Sequence, residues 1–258
     1  MISEECEDIE KIARKLCENW TLNYQCLSRV RALILTGSLN KKYNPSTEIL
    51  RRFWVVVKLR AIILDAMGVI YSVGDDVIDL LCPFIAEKGG DKDISKIQSL
   101  YHAASLGNIR ASEFWEAVGI NPGLEDEYLR RHQLTSGLVE FLKEIKQQGY
   151  EVWCLSNDLS EWAKKLRVRF ELDNYFKGFV ISGDVGARKP DRAIYSILLS
   201  RLSADPGNTV FVDDRLNNLD SAAIFGFKTV LFEPAGCVIA DERHQVVSNF
   251  DDLLLLLS

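Results

Sequence analysis

Residues 61–65 read Ala-Ile-Ile-Leu-Asp, and the chain runs on as L-D-A-M-G-V over 64–69. Four apolar residues that stop abruptly at an acid are the pattern of a strand buried on both faces and ending at a polar sheet edge. Four more runs share this form: Val152–Leu155, Phe179–Ile181, Val210–Val212 and Thr229–Phe232. Each is short, apolar, often β-branched, and closes in polar or Gly-containing sequence. Amphipathic stretches lie between them. In one, Ser136 and Gly137 precede Leu138, Phe141, Leu142 and Ile145, with Gly149 as a stop. In another, Pro190 opens a helix carrying Ile194, Ile197, Leu198 and Leu202, Pro being tolerated in a first turn. The alternation predicts a doubly wound, Rossmann-like parallel α/β sheet.

One interval breaks the rhythm. Residues 75–135 separate the first two strands and read as helices only, at Val77–Ile85, Ile97–Ala104 and Ser112–Val118. A small all-helical cap inserted after the first strand is the economical reading. It divides the chain into a core of 59–74 plus 136–258, a cap of 75–135 and an N-terminal extension of 1–58. In that extension Ser3 is a fair N-cap, and Ile9, Ile12, Ala13, Leu16, Cys17 and Trp20 recur at helical spacing. A second helix is expected around Leu27–Leu35. No residue of the extension carries chemistry. It reads as a helical addition packed on the core, with a partner-binding arm or a natural start near Leu59 as alternatives.

The chain has 258 residues, 47% of them apolar and 26% charged, which suits a soluble globular protein and excludes disorder throughout. Residues 1–60 hold 11 Lys+Arg against 7 Asp+Glu, so the net charge of -6 comes from a +4 segment and a -10 remainder. That balance argues against a nucleic-acid partner. The six cysteines form no C-x-x-C and have no His at zinc-ligand spacing, so a reducing compartment is expected. The start lacks a signal-peptide layout, and no apolar run approaches the roughly 20 residues needed to span a bilayer. A cytoplasmic protein with no membrane partner is the expectation; oligomeric state is left open.

In a parallel sheet, ligands gather at the carboxyl ends of the strands. The residues closing those strands are Asp65, Ser156-Asn157-Asp158 and Asp213-Asp214, with Gly186-Ala187-Arg188-Lys189-Pro190 between the third and fourth. Three carboxylates, a hydroxyl and an ammonium then converge on one crevice, an arrangement that calls for a cation. L-D-A-M-G-V at 64–69, L-S-N-D at 155–158, R-K-P-D at 188–191 and V-D-D at 212–214 resemble, in order, the four motifs of the haloacid dehalogenase superfamily. The resemblance spans about residues 60–235, and the helical insertion falls where one branch of that family keeps its small cap.

The resemblance implies a Mg²⁺-dependent phosphatase for a small phosphorylated metabolite. Asp65 matches the nucleophile that forms an aspartyl-phosphate. Asp65, the backbone carbonyl of Met67 and Asp214 would be direct metal ligands, with Asp213 acting mostly through water. Ser156 and Lys189 would hold and offset the transferring phosphoryl group, and Asn157 could add a donor. Taken singly, each of these is more often a turn former, helix cap or surface residue; four in order are not. Arg188 reads as solvent-facing and stays outside the site. Tyr101, Trp115 and His102 are candidates to face the substrate, with plain packing an even alternative.

Met67 departs from the pattern. Phosphatases of the family carry a second aspartate there, as general acid and base worth roughly 10²–10⁴ in rate, and a thioether exchanges no proton. Three readings stay open. The first is a phosphatase that acts on esters with good leaving groups, or takes its proton from water or a cap residue. The second is a weakened member that binds a phosphorylated ligand or a protein partner. The third is a metal-independent haloacid dehalogenase, which the retained Asp213-Asp214 pair disfavours.

Overall fold

The computed structural model describes residues 60–233 and 243–257. The expectations for residues 1–58 lie outside the described residues. Six parallel strands form one sheet in the order β3-β2-β1-β4-β5-β6. They are β1 (Arg60–Leu64), β2 (Tyr150–Ser156), β3 (Gly178–Ile181), β4 (Thr209–Asp213), β5 (Lys228–Phe232) and β6 (Gln245–Val247).

The continuous apolar runs follow from burial on both faces. Successive side chains of a strand point to opposite sides, so each run feeds two cores. Ile62, Leu64, Val152, Cys154, Val212 and Phe232 join one, together with Leu138, Phe141 and Ile145 of α5 (Leu138–Gln147). Ile63, Trp153, Leu155, Phe211 and Leu231 join the other, with Ile194, Tyr195 and Leu198 of α8 (Arg192–Arg201) and Leu219 and Ala222 of α9 (Leu216–Ile224). Each large side chain so enclosed contributes about 1.5–3 kcal/mol. The remaining elements are α6 (Ser160–Arg169), α7 (Ser182–Val185) and α10 (Phe250–Leu257).

Two readings need correcting. The three-residue β6 went unrecognised, since Gln245 and Val246 are exposed and only Val247 is buried. Pro190 does not sit in the first turn of α8: the helix starts at Arg192, and the Asp191 carboxylate caps it by accepting from the Ala193 N–H (3.0 Å).

Between β1 and α5 the chain is helical. A π turn over Val77–Leu81 runs into α1 (Cys82–Glu87), followed by α2 (Ile94–Ala104), α3 (Ala111–Ala117) and α4 (Glu125–Leu129). An aromatic cluster of Phe84, Phe114, Trp115 and Tyr128 holds these helices together and takes in Trp162 of α6 from the sheet side. At its centre the buried Glu125 carboxylate accepts from the indole N–H of Trp115 (2.9 Å) and of Trp162 (2.8 Å), and pairs with Lys165 of α6 (2.8 Å). This carboxylate is one of several ties between the insertion and the core. Trp115, fully enclosed here, does not face a substrate. None of the described helices is long and apolar enough to cross a membrane.

Candidate functional site

The chain leaves β1 toward β2 on one side and reaches β4 on the other, so β1 lies at the switch point where parallel sheets open a crevice. Leu64 pairs with Val212, which sets Asp65 beside Asp213 one residue further on; the Asp65 N–H still bonds the Val212 carbonyl (2.9 Å). One carboxylate oxygen each from Asp65, Asp213 and Asp214 lie within 4.8 Å of one another. Lys189 Nζ stands 2.6 Å from Asp65 Oδ1 and 2.7 Å from Asp213 Oδ2. Sequence positions 65, 189, 213 and 214 thus meet in one buried cluster.

The acids differ in what holds them. Asp213 accepts from Lys189, from Asn218 Nδ2 at both oxygens (2.9 and 3.0 Å) and from the Arg215 N–H (2.9 Å). Asp214, by contrast, has a buried Oδ1 with no hydrogen-bond partner. A buried, unsatisfied carboxylate oxygen costs free energy unless something cationic meets it. Burial, and then the neighbouring Asp213, push Asp214 up to about 6. The same two causes carry Asp65 well above the usual carboxylate range, against the opposing pull of Lys189. Burial alone would depress the Lys189 ammonium, but Asp213 and Asp65 outweigh it and leave it raised. Three carboxylates against one buried ammonium, with only the exposed Arg215 guanidinium 3.9 Å from Asp214, form an oxygen-donor set that fits a hard divalent cation bound by Asp65 and Asp214.

Gly68 makes this packing possible. Its φ is +80°, and a Cβ there would lie 2.4 Å from Asp214 Oδ2. Its N–H donates to the Tyr71 and Val73 carbonyls, folding the chain after β1 back over the strand end.

Ser156, at the end of β2, is buried with an Oγ that has no hydrogen-bond partner. Asn157 uses its side chain differently: Oδ1 accepts from the Lys189 N–H (2.8 Å) and Nδ2 donates to the Lys189 carbonyl (2.9 Å). It clasps the Lys189 loop and keeps one amide hydrogen for other use.

Above the cluster is a cavity of about 330 Å³. Asp65, Met67, Ser156, Asn157, Arg188 and Lys189 line it from the strand ends, and Asp75, Asp76, Val77, Gln98, Tyr101 and His102 from the segment after β1 and from α2. Tyr101 spends its hydroxyl on the Asn157 carbonyl (3.1 Å). Arg188 is half-buried in the wall, near the Tyr101 ring, with a buried Nη1 lacking a partner. The solvent-facing reading of Arg188 is thereby corrected. Reasoning from sequence also passed over Asp75, Asp76 and Arg215; the only signal was Gly74-Asp75-Asp76, which reads as a turn.

A model of the haloacid dehalogenase-like hydrolases matches residues 59–226. The chain is 26% identical over 178 residues to the sesquiterpene phosphatase astK of Aspergillus oryzae, covering 65% of this chain and 86% of that protein. It is 30% identical over 133 residues to the (S)-2-haloacid dehalogenase 4A of Burkholderia cepacia, covering 49% of this chain and 58% of the other. Among solved structures, a HAD phosphatase from Thermococcus onnurineus superposes with a TM-score of 0.63 at 20% identity, over 78% of this chain and 98% of that one, a likeness of fold.

Proposed function

This chain belongs to the haloacid dehalogenase-like hydrolases, and from that premise we propose a Mg²⁺-dependent phosphatase for a small phosphorylated metabolite, working through an aspartyl-phosphate on Asp65. The observation that carries this reading is a pair of buried oxygens without hydrogen bonds beside Asp65: Ser156 Oγ at the end of β2, and Asp214 Oδ1 after β4, whose cationic neighbour is the exposed Arg215 Nε at 3.9 Å. The first suits a phosphoryl oxygen and the second a metal ion.

Mg²⁺ held by Asp65, Asp214 and the Met67 carbonyl, with Asp213 reached through water, would supply positive charge against the phosphoryl oxygens. Asp65 attacks phosphorus through a carboxylate oxygen. Ser156 donates to a phosphoryl oxygen, and the Lys189 ammonium, aimed by the Asn157 clasp, offsets charge at Asp65. The insertion acts as a cap that shields the reacting atoms from bulk water, and a cavity of about 330 Å³ suits a small substrate.

Two observations on Gly68, its positive φ and the nearness of Asp214, lead to one expectation. Gly68→Ala should weaken Mg²⁺ binding at least about tenfold, or about 1.4 kcal/mol, by titration calorimetry. Unchanged affinity would remove Asp214 from the ligand set.

The reading is tested by inorganic phosphate release from acyl, sugar and aryl phosphates, with Mg²⁺ and with EDTA. Turnover that needs the metal is expected. Halide release without metal would favour the dehalogenase alternative, to which the non-acidic Met67 points. Mg²⁺ and phosphate binding without turnover would favour a binding role.

A further inference from the structure

A thioether at position 67 leaves the alcohol of a phosphate monoester without a proton source at the place where related phosphatases keep one. Besides Asp65, the titratable side chains lining the cavity are Arg188 and Arg215, whose guanidiniums hold their protons, and Lys189, Tyr101, His102, Asp75 and Asp76. Lys189 is committed as an ammonium between two carboxylates. Tyr101 has given its hydroxyl proton to a backbone carbonyl. His102 is exposed and Asp75 half-buried. Asp76 is buried, and its Oδ2 has no hydrogen-bond partner.

Its position follows from the fold of the segment after β1. The Ile70 and Tyr71 N–H groups donate back to the Asp65 and Ala66 carbonyls, and a Cβ on Gly74 would lie 3.1 Å from Asp214 Oδ2. The backbone two residues before Asp76 therefore touches the acid cluster, and Asp76 lines the same cavity as Asp65.

We infer that Asp76 is the general acid and base of this site, doing for alkyl phosphate monoesters what Met67 cannot. The inference rests on the phosphatase reading above. A buried oxygen with no donor is costly for a carboxylate and tolerable for a carboxylic acid, so this setting favours the protonated form. Burial, and then Asp75, push Asp76 up to about 7, with Arg215 pulling the other way. Asp158 and Arg188 from the strand-end loops, and Tyr101 and Tyr128 from α2 and α4, lie within electrostatic reach of it. Acids and bases are most effective when poised near the working pH.

In the first step an Asp65 oxygen bonds to phosphorus as the P–O bond to the alcohol breaks. The electron pair stays on the alcohol oxygen, which takes the Asp76 proton and leaves. In the second step the Asp76 carboxylate takes a proton from water as the water oxygen bonds to phosphorus. The P–O bond to Asp65 breaks, phosphate departs, and protonated Asp76 is restored. One water is consumed for each alcohol and phosphate released.

The test compares glycerol phosphate with 4-nitrophenyl phosphate in the full chain, with Mg²⁺, for wild type and Asp76→Asn. An alcohol needs a proton to leave and a nitrophenolate does not. The variant should lose about 100-fold or more on the alkyl ester. On the aryl ester it should retain the nitrophenol burst, then slow as aspartyl-phosphate accumulates. In the wild type, alkyl turnover should fall as pH rises through about 7, because the acid form is lost. Equal loss of burst and steady rate on both esters would make Asp76 merely structural, and no loss would exclude it. Should the variant not fold, a wild-type alkyl profile without the falling limb overturns the assignment by itself. If wild type releases no phosphate from either ester, the phosphatase reading fails first and this inference falls with it.

Discussion

Asp65→Asn should abolish turnover, by on the order of 10⁴-fold or more, while the protein stays folded and melts no lower than wild type in EDTA. An amide has neither the charge nor the free oxygen pair to displace an alcohol from phosphorus, and no other carboxylate occupies the end of β1. The stability half of the expectation follows from electrostatics. Burial and Asp213 disfavour the Asp65 charge more than Lys189 favours it, since the group ends up raised. A raised acid is most favourable to folding below its unfolded value and loses that contribution as pH rises through the folded value, so at neutral pH its charge is a burden. A neutral isostere removes the burden. Phosphate release by purified Asp65→Asn at wild-type rates would end the nucleophile assignment.

Lys189→Met should act in the opposite sense on stability. Among the described residues, Lys189 is the only cation within 4.0 Å of Asp65 or Asp213, and its side chain is 1% exposed. Removing one partner from a buried ion pair typically costs about 3–5 kcal/mol, because the other charge stays behind uncompensated. For a domain of this size that is a melting decrease of roughly 6–20 °C. Two conditions should narrow the deficit. Mg²⁺ restores positive charge among the carboxylates and stabilises by mass action. Lower pH protonates Asp65, which burial and Asp213 already raise, and so reduces the unpaired charge. Calorimetry in EDTA at pH 8 and pH 5, then with Mg²⁺, would read both. A variant that melts like wild type in EDTA at pH 8 would show that Lys189 does not neutralise the cluster.

The core was legible from sequence because strands such as β1 and β4 are buried on both faces, which writes them as unbroken apolar runs ending in acids. Asp65, Asp213 and Asp214 followed from those strand ends, and Lys189, in the loop after α7, from the resemblance of R-K-P-D to a family motif. The cavity wall was less legible. Asp76 and Arg188 owe their burial to helices laid over the sheet edge, and nothing next to either residue in the chain announces that covering. Trp115 failed as a substrate contact for the same reason: its partner Trp162 lies 47 positions on, in a helix of the core. Strand β6 was missed because a three-residue edge strand with one buried side chain has no period to detect.

The carboxylate joining Trp115 to Trp162 has an optical consequence. The two indole rings lie 5.3 Å apart at 37°, one carried by the insertion and one by a helix packed on the sheet. Indoles this close share their ultraviolet transitions, so the near-ultraviolet circular dichroism of the pair exists only while the insertion is seated.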